Sequence, residues 1–227
     1  MSLKAIVFDF DGVIANSEPL HFRAYRDVLA EESIALTERD YYARYLGFDD
    51  RGAFRAIGIA TGSPMTDARV ADLVARKAVR LEALERERSM LFPGAAAAIE
   101  RLAASVPLAI ASGARGEEIR RVLDRERLAQ FFTTIVAAED TPQSKPAPDP
   151  YLLAVAQLGG SSAAPLAASE CVAIEDSVWG LQSALAAGLK TVGITHTYDA
   201  RSLVEAHMVI DALAALNIGS LGTLWPD

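Results

Sequence analysis

The 227-residue chain has a single cysteine, Cys171, so no internal disulfide can form. That excludes a small disulfide-stapled scaffold and is compatible with a reducing compartment. Positive charge is also in deficit. Lys and Arg number 22 against 30 Asp and Glu, a net charge of −8. Such a balance argues against a surface built to grip the phosphate backbone of a nucleic acid. It still admits a small anionic substrate, because a metal and one or two local cations can reverse the sign inside a pocket. Long apolar runs are missing: nothing approaches the ~18 uninterrupted residues of a membrane span. The opening MSLKAIVFDFDG lacks the basic start, apolar stretch and cleavage site of a secretory leader, so a cytoplasmic location is expected. Neither a G-x-x-x-x-G-K-[ST] loop nor a G-x-G-x-x-G fingerprint occurs, which leaves ATP and NAD without support. What is plentiful is core material. A hydrophobic fraction of 51% excludes a disordered or collagen-like chain, and the length suits one domain, or one domain with a smaller insert.

Short apolar runs at Ala5–Phe8, Leu108–Ala111, Ile135–Ala137, Val172–Ile174 and Thr191–Ile194 lack strict alternation. Strands covered on both faces of a parallel sheet read this way. Helical patterns separate most of them, at Pro93–Ala103, Gly116–Arg127, Pro150–Leu158 and Ser177–Ala187, the last followed by Gly188 as a C-terminal cap. The alternation predicts a doubly wound, Rossmann-like α/β sheet. Between the first strand and the second lies a long stretch of purely helical pattern: Pro19–Glu31, Glu38–Tyr45, Arg51–Ile59 and Thr66–Arg88. It predicts a helical insertion over 17–89, with the α/β domain made of 1–16 and 90–227. The charge-dense segment Arg76–Arg88 reads as a solvated helix face.

Ligands of an open parallel sheet bind at the carboxyl ends of its strands, and chemistry-bearing residues gather there. Asp9-Phe10-Asp11-Gly12 follows the first strand. Two carboxylates so close repel each other unless a cation or proton intervenes, although D-x-D-G also serves as a plain surface turn. Glu175-Asp176-Ser177 ends the strand before it, where the alternative role is a helix N-cap. Two acidic clusters from separate strands make an all-oxygen site that suits Mg2+, with no Cys/His cluster to suggest zinc. Ser112-Gly113 offers a hydroxyl and free amides near a helix start, a cradle for phosphate oxygens. Lys145 stands in a segment stiffened by four prolines between Pro142 and Pro150. It is either the cation such a site requires or an exposed loop lysine.

Taken in order, these elements resemble the haloacid dehalogenase superfamily of phosphohydrolases. Its first motif matches at Asp9-Phe10-Asp11-Gly12-Val13, its second at Ser112, its third at Lys145 and its fourth at Glu175-Asp176. The resemblance spans nearly the whole chain and implies that the helical insertion is a cap. It implies Asp9 as nucleophile, forming an aspartyl-phosphate, and Asp11 as general acid and then base. Mg2+ would be held by Asp9, the main-chain carbonyl of Asp11, Asp176, and Glu175 directly or through water. Lys145 and Ser112 would bind the transferring phosphoryl oxygens. Dehalogenases and phosphonatases lack the second aspartate, so Asp11 disfavours carbon–halogen and carbon–phosphorus cleavage. The cap would open and close about hinges near Ala15–Glu18 and Arg88–Phe92, admitting a small phosphorylated metabolite such as a sugar phosphate.

Ser17-Glu18-Pro19-Leu20-His21 resembles the start of the cap in sugar-phosphate phosphatases and in β-phosphoglucomutase. The mutase carries a Ser-Lys-Asn run after its second motif, where this chain has Ala114, Arg115 and Gly116. A cap lysine of the mutase falls near Ala83. These departures favour a hydrolase, with the mutase as the alternative. Glu18, His21, Arg51, Gly113 and Arg115 are candidate substrate contacts. Receiver domains of signalling proteins also combine an acidic pocket, a hydroxyl, a Lys and Mg2+, but they are shorter and have no place for the insertion. A catalytically dead scaffold is a further alternative, opposed by the four intact motifs. His196 and His207 have no partner in a ligand-like spacing. Cys171 reads as core, Trp179 as a residue packing a helix on the sheet, and Trp225 as near a frayed end.

Overall fold

The computed structural model describes residues 2–46, 48–87, 89–160 and 166–225. The chain divides into two compact units, Met1–Asn16 with Met90–Asp227, and Ser17–Ser89.

The first unit begins with β1 (Ala5–Phe8), whose four residues are fully buried. Successive side chains of a strand point to opposite faces, so burial of all four requires cover on both sides.

The second unit follows β1 in sequence and is all helical: α1 (Glu18–Glu31), α2 (Glu38–Arg44), α3 (Asp50–Ala60) and α4 (Asp67–Glu87). Thr37 caps α2 by accepting from the Asp40 amide at 3.1 Å, and Asp49 caps α3 by accepting from the Gly52 amide at 2.7 Å. Tyr25, Phe54 and Tyr41 pack as tilted rings in the core of this unit, with ring centroids 5.0 Å (Tyr25–Phe54) and 5.6 Å (Tyr25–Tyr41) apart. The expectation of a solvated face over Arg76–Arg88 is corrected here. Val70, Leu73, Lys77, Leu81 and Leu84 form one buried stripe of α4, and Glu85 is buried as well. Lys77, 2% exposed, donates to Asp50 at 2.6 Å. Arg76 and Arg80 do face outward, paired with Glu31, Glu32 and Asp27. Arg88 lies outside the described residues.

The first unit resumes with α5 (Ala95–Ala103), β2 (Leu108–Ala111), α6 (Gly116–Arg125), β3 (Phe132–Val136), α7 (Asp149–Gly160), β4 (Cys171–Glu175), α8 (Val178–Ala186), β5 (Lys190–Ile194), β6 (Met208–Ile210) and a short α9 (Ile218–Gly222). The strands form one parallel sheet in the order β3-β2-β1-β4-β5-β6. This is the doubly wound arrangement the sequence predicts. Strand order reverses at β1, which opens a crevice beyond its carboxyl end. Ala5 and Val7 share a core cluster with Tyr151, Ala154 and Leu158 of α7 and with Cys171. Phe8 faces the other way, edge-on to Phe132 at 6.2 Å. Ser177 caps α8 by accepting from the Gly180 amide at 3.0 Å, and Gly188 adopts φ +87° beyond its end. Trp179 corrects another expectation: it is 58% exposed and does not pack α8 onto the sheet. Among the described residues, no helix is long and apolar enough to cross a membrane.

Candidate active site

The register of the sheet brings the motif residues to one edge. Phe8 stands opposite Ile110 on one side and Ile174 on the other, so Asp9, Ser112 and Glu175 all emerge at carboxyl ends. The Asp9 amide extends the ladder by donating to the Ile174 carbonyl at 2.9 Å. The chain then turns sharply. Gly12 has φ +79°, a left-handed conformation that side chains disfavour, and a Cβ there would collide with the Asp176 carboxylate. Glycine is therefore required at this position twice over.

Lys145 reaches the same edge from the proline-rich segment. Ser183 of α8 steadies that segment by donating to the Ala147 carbonyl at 2.6 Å. Its ammonium donates to Asp9 Oδ1 at 2.7 Å and to Glu175 Oε1 at 2.6 Å, and lies 5.0 Å from the centre of the Tyr151 ring. Lys145 is thus a site cation and not a loop lysine. Glu175 is completely buried and fully engaged. Oε1 also accepts from the Tyr151 hydroxyl at 2.8 Å, and Oε2 accepts from the Asp176 amide and the Ser177 hydroxyl. A side chain at Gly180 would overlap this carboxylate. Thr197 lies beside Asp176 and favours its charged form.

The electrostatics follow from this crowding. Burial, with repulsion from Glu175 and Asp11, pushes the Asp9 carboxyl up to about 7 even though Lys145 pulls it down. Burial, with Asp9 and Glu175 beside it, pushes Asp176 up to about 8. Burial opposes the charge on Lys145, but Asp9 and Glu175 outweigh it and hold the ammonium above the usual lysine range. Three carboxyl groups against one ammonium leave the cluster short of positive charge, which, on top of burial, is why two of them hold their protons so firmly. Asp9, Glu175 and Asp176 each offer an oxygen within 4.8 Å of the others, so this cluster could hold a metal ion. An all-carboxylate donor set fits a hard divalent cation. Asp9 and Asp176 are its natural direct ligands. Because the Glu175 oxygens already carry protein donors, ligation through water would leave them undisturbed.

Other candidates are placed less centrally. Asp11 is half-buried in the turn and bridges to Ala15. Ser112 is buried, with its Oγ accepting from the Ala114 amide at 3.1 Å, and Gly113 is exposed. The expected supply of free amides is smaller than the sequence suggested, because Glu139 takes the Gly116 amide at 3.1 Å. Arg115 is exposed at the start of α6. Glu18, His21 and Arg51 belong to the helical unit. There Tyr41 donates to Glu18 at 2.7 Å, His21 Nδ1 lies 3.1 Å from Lys77, and Arg51 is exposed on α3. The buried lysine of α4 is therefore Lys77, whereas Ala83 is exposed. Sequence reasoning missed Lys77, Tyr151, His196 and Thr197. The last two follow β5, and the strand-end rule that singled out Asp9 applies to them equally.

An acidic, lysine-bearing cluster thus stands at the switch point of a doubly wound sheet. The family follows from the match of residues 6–194 to the model of haloacid dehalogenase-like hydrolases: the chain belongs to that family. It is 29% identical to a phosphorylated carbohydrates phosphatase of Thermotoga maritima over 91% of this chain and 93% of the relative. It is 27% identical to the β-phosphoglucomutase of Bacillus subtilis over 98% and 96% of the two chains. The crystal structure of CbbY from Rhodobacter sphaeroides in complex with phosphate superposes with a TM-score of 0.77 at 25% identity, covering 95% of this chain and 96% of that one.

Proposed function

We propose that this enzyme is a Mg2+-dependent phosphatase of small phosphomonoesters, sugar phosphates in the first place, acting through an aspartyl-phosphate. The observation that carries this reading is the Asp9 carboxylate, fixed at the end of β1, 2.7 Å from the Lys145 ammonium and clustered with Asp176. In the first step an Asp9 oxygen attacks phosphorus as the ester P–O bond breaks, and Asp11 gives its proton to the leaving alkoxide. In the second step Asp11 takes a proton from water, whose oxygen attacks the aspartyl-phosphate and releases inorganic phosphate. Lys145 and Ser112 bind the phosphoryl oxygens as negative charge shifts onto them. Mg2+, held by Asp9, Asp176 and the main-chain carbonyl of Asp11, with Glu175 directly or through water, would neutralise charge and align the phosphoryl group. Residues 17–89 serve as the cap, with Glu18, His21 and Arg51 as candidate substrate contacts.

The mutase alternative needs room to hold a second phosphate. Position 116 speaks against it, because Gly116 offers no polar side chain to a second phosphate where the mutase has one.

The test is phosphate release with Mg2+ across small phosphomonoesters, run beside β-glucose 1-phosphate with catalytic β-glucose 1,6-bisphosphate. Steady release from several sugar phosphates, abolished by Asp9→Asn and by EDTA, is the expected result. Glucose 6-phosphate formed with almost no free phosphate would establish the mutase instead.

A further inference from the structure

The turn that carries Asp11 is held from outside the four motifs. His196, two residues beyond β5, places Nδ1 2.9 Å from the Gly12 carbonyl oxygen. A carbonyl only accepts, so Nδ1 carries the proton. The imidazole lies flat on Phe92, with centroids 3.7 Å apart and planes at 16°. Phe92 is anchored in turn, its amide donating to the Ile14 carbonyl at 3.0 Å. Next along the chain, Thr197 lies beside Asp176, both of them close to Gly12. The segment after β5 therefore borders both the turn and the acidic cluster.

Within the turn, the Ile14 and Ala15 amides donate to the Phe10 carbonyl, and the Gly12 amide donates to the Ala15 carbonyl. Gly12 itself sits in the permissive left-handed region. Glycine leaves the following peptide plane loosely set by its own backbone preferences, and His196 binds the carbonyl of that plane. The Gly12 carbonyl, held by His196, belongs to the peptide unit after Gly12, and the Gly12 amide, held by Ala15, belongs to the unit that carries the Asp11 carbonyl, so the two bonds together restrain Gly12 and with it the placing of Asp11.

We propose that His196 is a positioning residue that acts through Gly12 to set Asp11, with Phe92 as the platform that aims the ring. This rests on the role given to Asp11 above. It concerns the metal and the proton transfer, and not substrate capture, so the effect belongs in kcat and metal affinity while KM stays put.

The test compares His196→Asn with His196→Gln. The Asn amide nitrogen occupies the place of Nδ1 and restores the donor to Gly12, whereas Gln projects its amide toward the place of Nε2. Loss of one such hydrogen bond predicts a kcat about tenfold lower in H196Q, with KM within about twofold of the parent. H196N is expected within about threefold of the parent. Mn2+ binding, followed by electron paramagnetic resonance without substrate, should weaken in H196Q and recover in H196N. Equal impairment of the two variants would overturn the proposal, as would parental kcat and Mn2+ affinity in H196Q. If the parent enzyme releases no phosphate from any ester, the phosphatase reading fails, and the Mn2+ comparison alone still decides the role of His196.

Discussion

Lys145 and Tyr151 share one acceptor. Both donate to Glu175 Oε1, from 2.6 Å and 2.8 Å, and the ammonium also lies against the face of the phenol ring. Glu175 thereby works on Lys145 from below while Asp9 meets it from the front. The lysine is held in a three-point seat made by Asp9, Glu175 and the Tyr151 ring.

Tyr151→Phe keeps the ring and removes one donor from a fully buried carboxylate. Stability should fall by about 1–3 kcal/mol, read from urea unfolding. The kcat should fall as well, because Oε1 of Glu175 is then left to Lys145 alone.

Lys145→Met removes the buried cation and leaves Asp9 and Glu175 facing each other without it. Phosphate release should drop to background. Without metal, folding stability at neutral pH should fall by about 3–5 kcal/mol, as when one member of a buried ion pair is removed. Denaturant midpoints in EDTA and in Mg2+ check both the loss and its partial repair by the metal.

Gly180→Ala tests the seat by crowding. The added methyl would occupy the space of the Glu175 carboxylate. Overpacking of this kind costs about 1–3 kcal/mol, and displacement of Glu175 should release Lys145. The variant should lose stability and activity together, whereas Gly222→Ala, with nothing near its added methyl, should change neither.

Asp50 supplies the pH dependence. Burial opposes its charge, but Lys77 and the Tyr25 hydroxyl outweigh burial and hold the carboxyl below its ordinary value of 3.8. The unfolded chain therefore binds the proton first as pH falls. The stabilisation is complete above the ordinary value and is lost as pH drops through the depressed one. Parent and Asp50→Asn should differ most near pH 6 and converge below about pH 4, measured by urea unfolding followed through helical circular dichroism. A difference that stays constant down to pH 3 would show that Asp50 is not the group responsible.

Much of this was legible in advance because burial on both faces writes unbroken apolar runs. β1 and β2 have the bounds the sequence suggested. β3 begins earlier than its apolar run, at Phe132, because Thr133 and Thr134 interrupt the pattern. β6 went unseen: three residues at the sheet edge, partly exposed, carry too little signal. Strand-end reasoning found Asp9, Ser112 and Glu175, and the prolines marked Lys145. Tyr151 and His196 act across gaps of 24 and 184 residues, which no local pattern encodes. Lys77 was hidden differently. It sits in a run of charges, yet its spacing from Leu73 and Leu81 places it on the buried stripe of α4.

The place where the helical insertion leaves and rejoins the sheet is closed at its base. The Asn16 amide donates to the Met90 carbonyl at 2.7 Å, and Ala15 and Leu91 pair as an antiparallel bridge. An excursion whose two ends already touch imposes no particular length on what it carries, since each doubling of a flexible loop adds only about 0.6 kcal/mol of closure entropy. Residues 17–89 can thus be treated as an exchangeable cassette. A shortened chain joining Ala15 to Leu91 through a brief turn would keep the sheet intact.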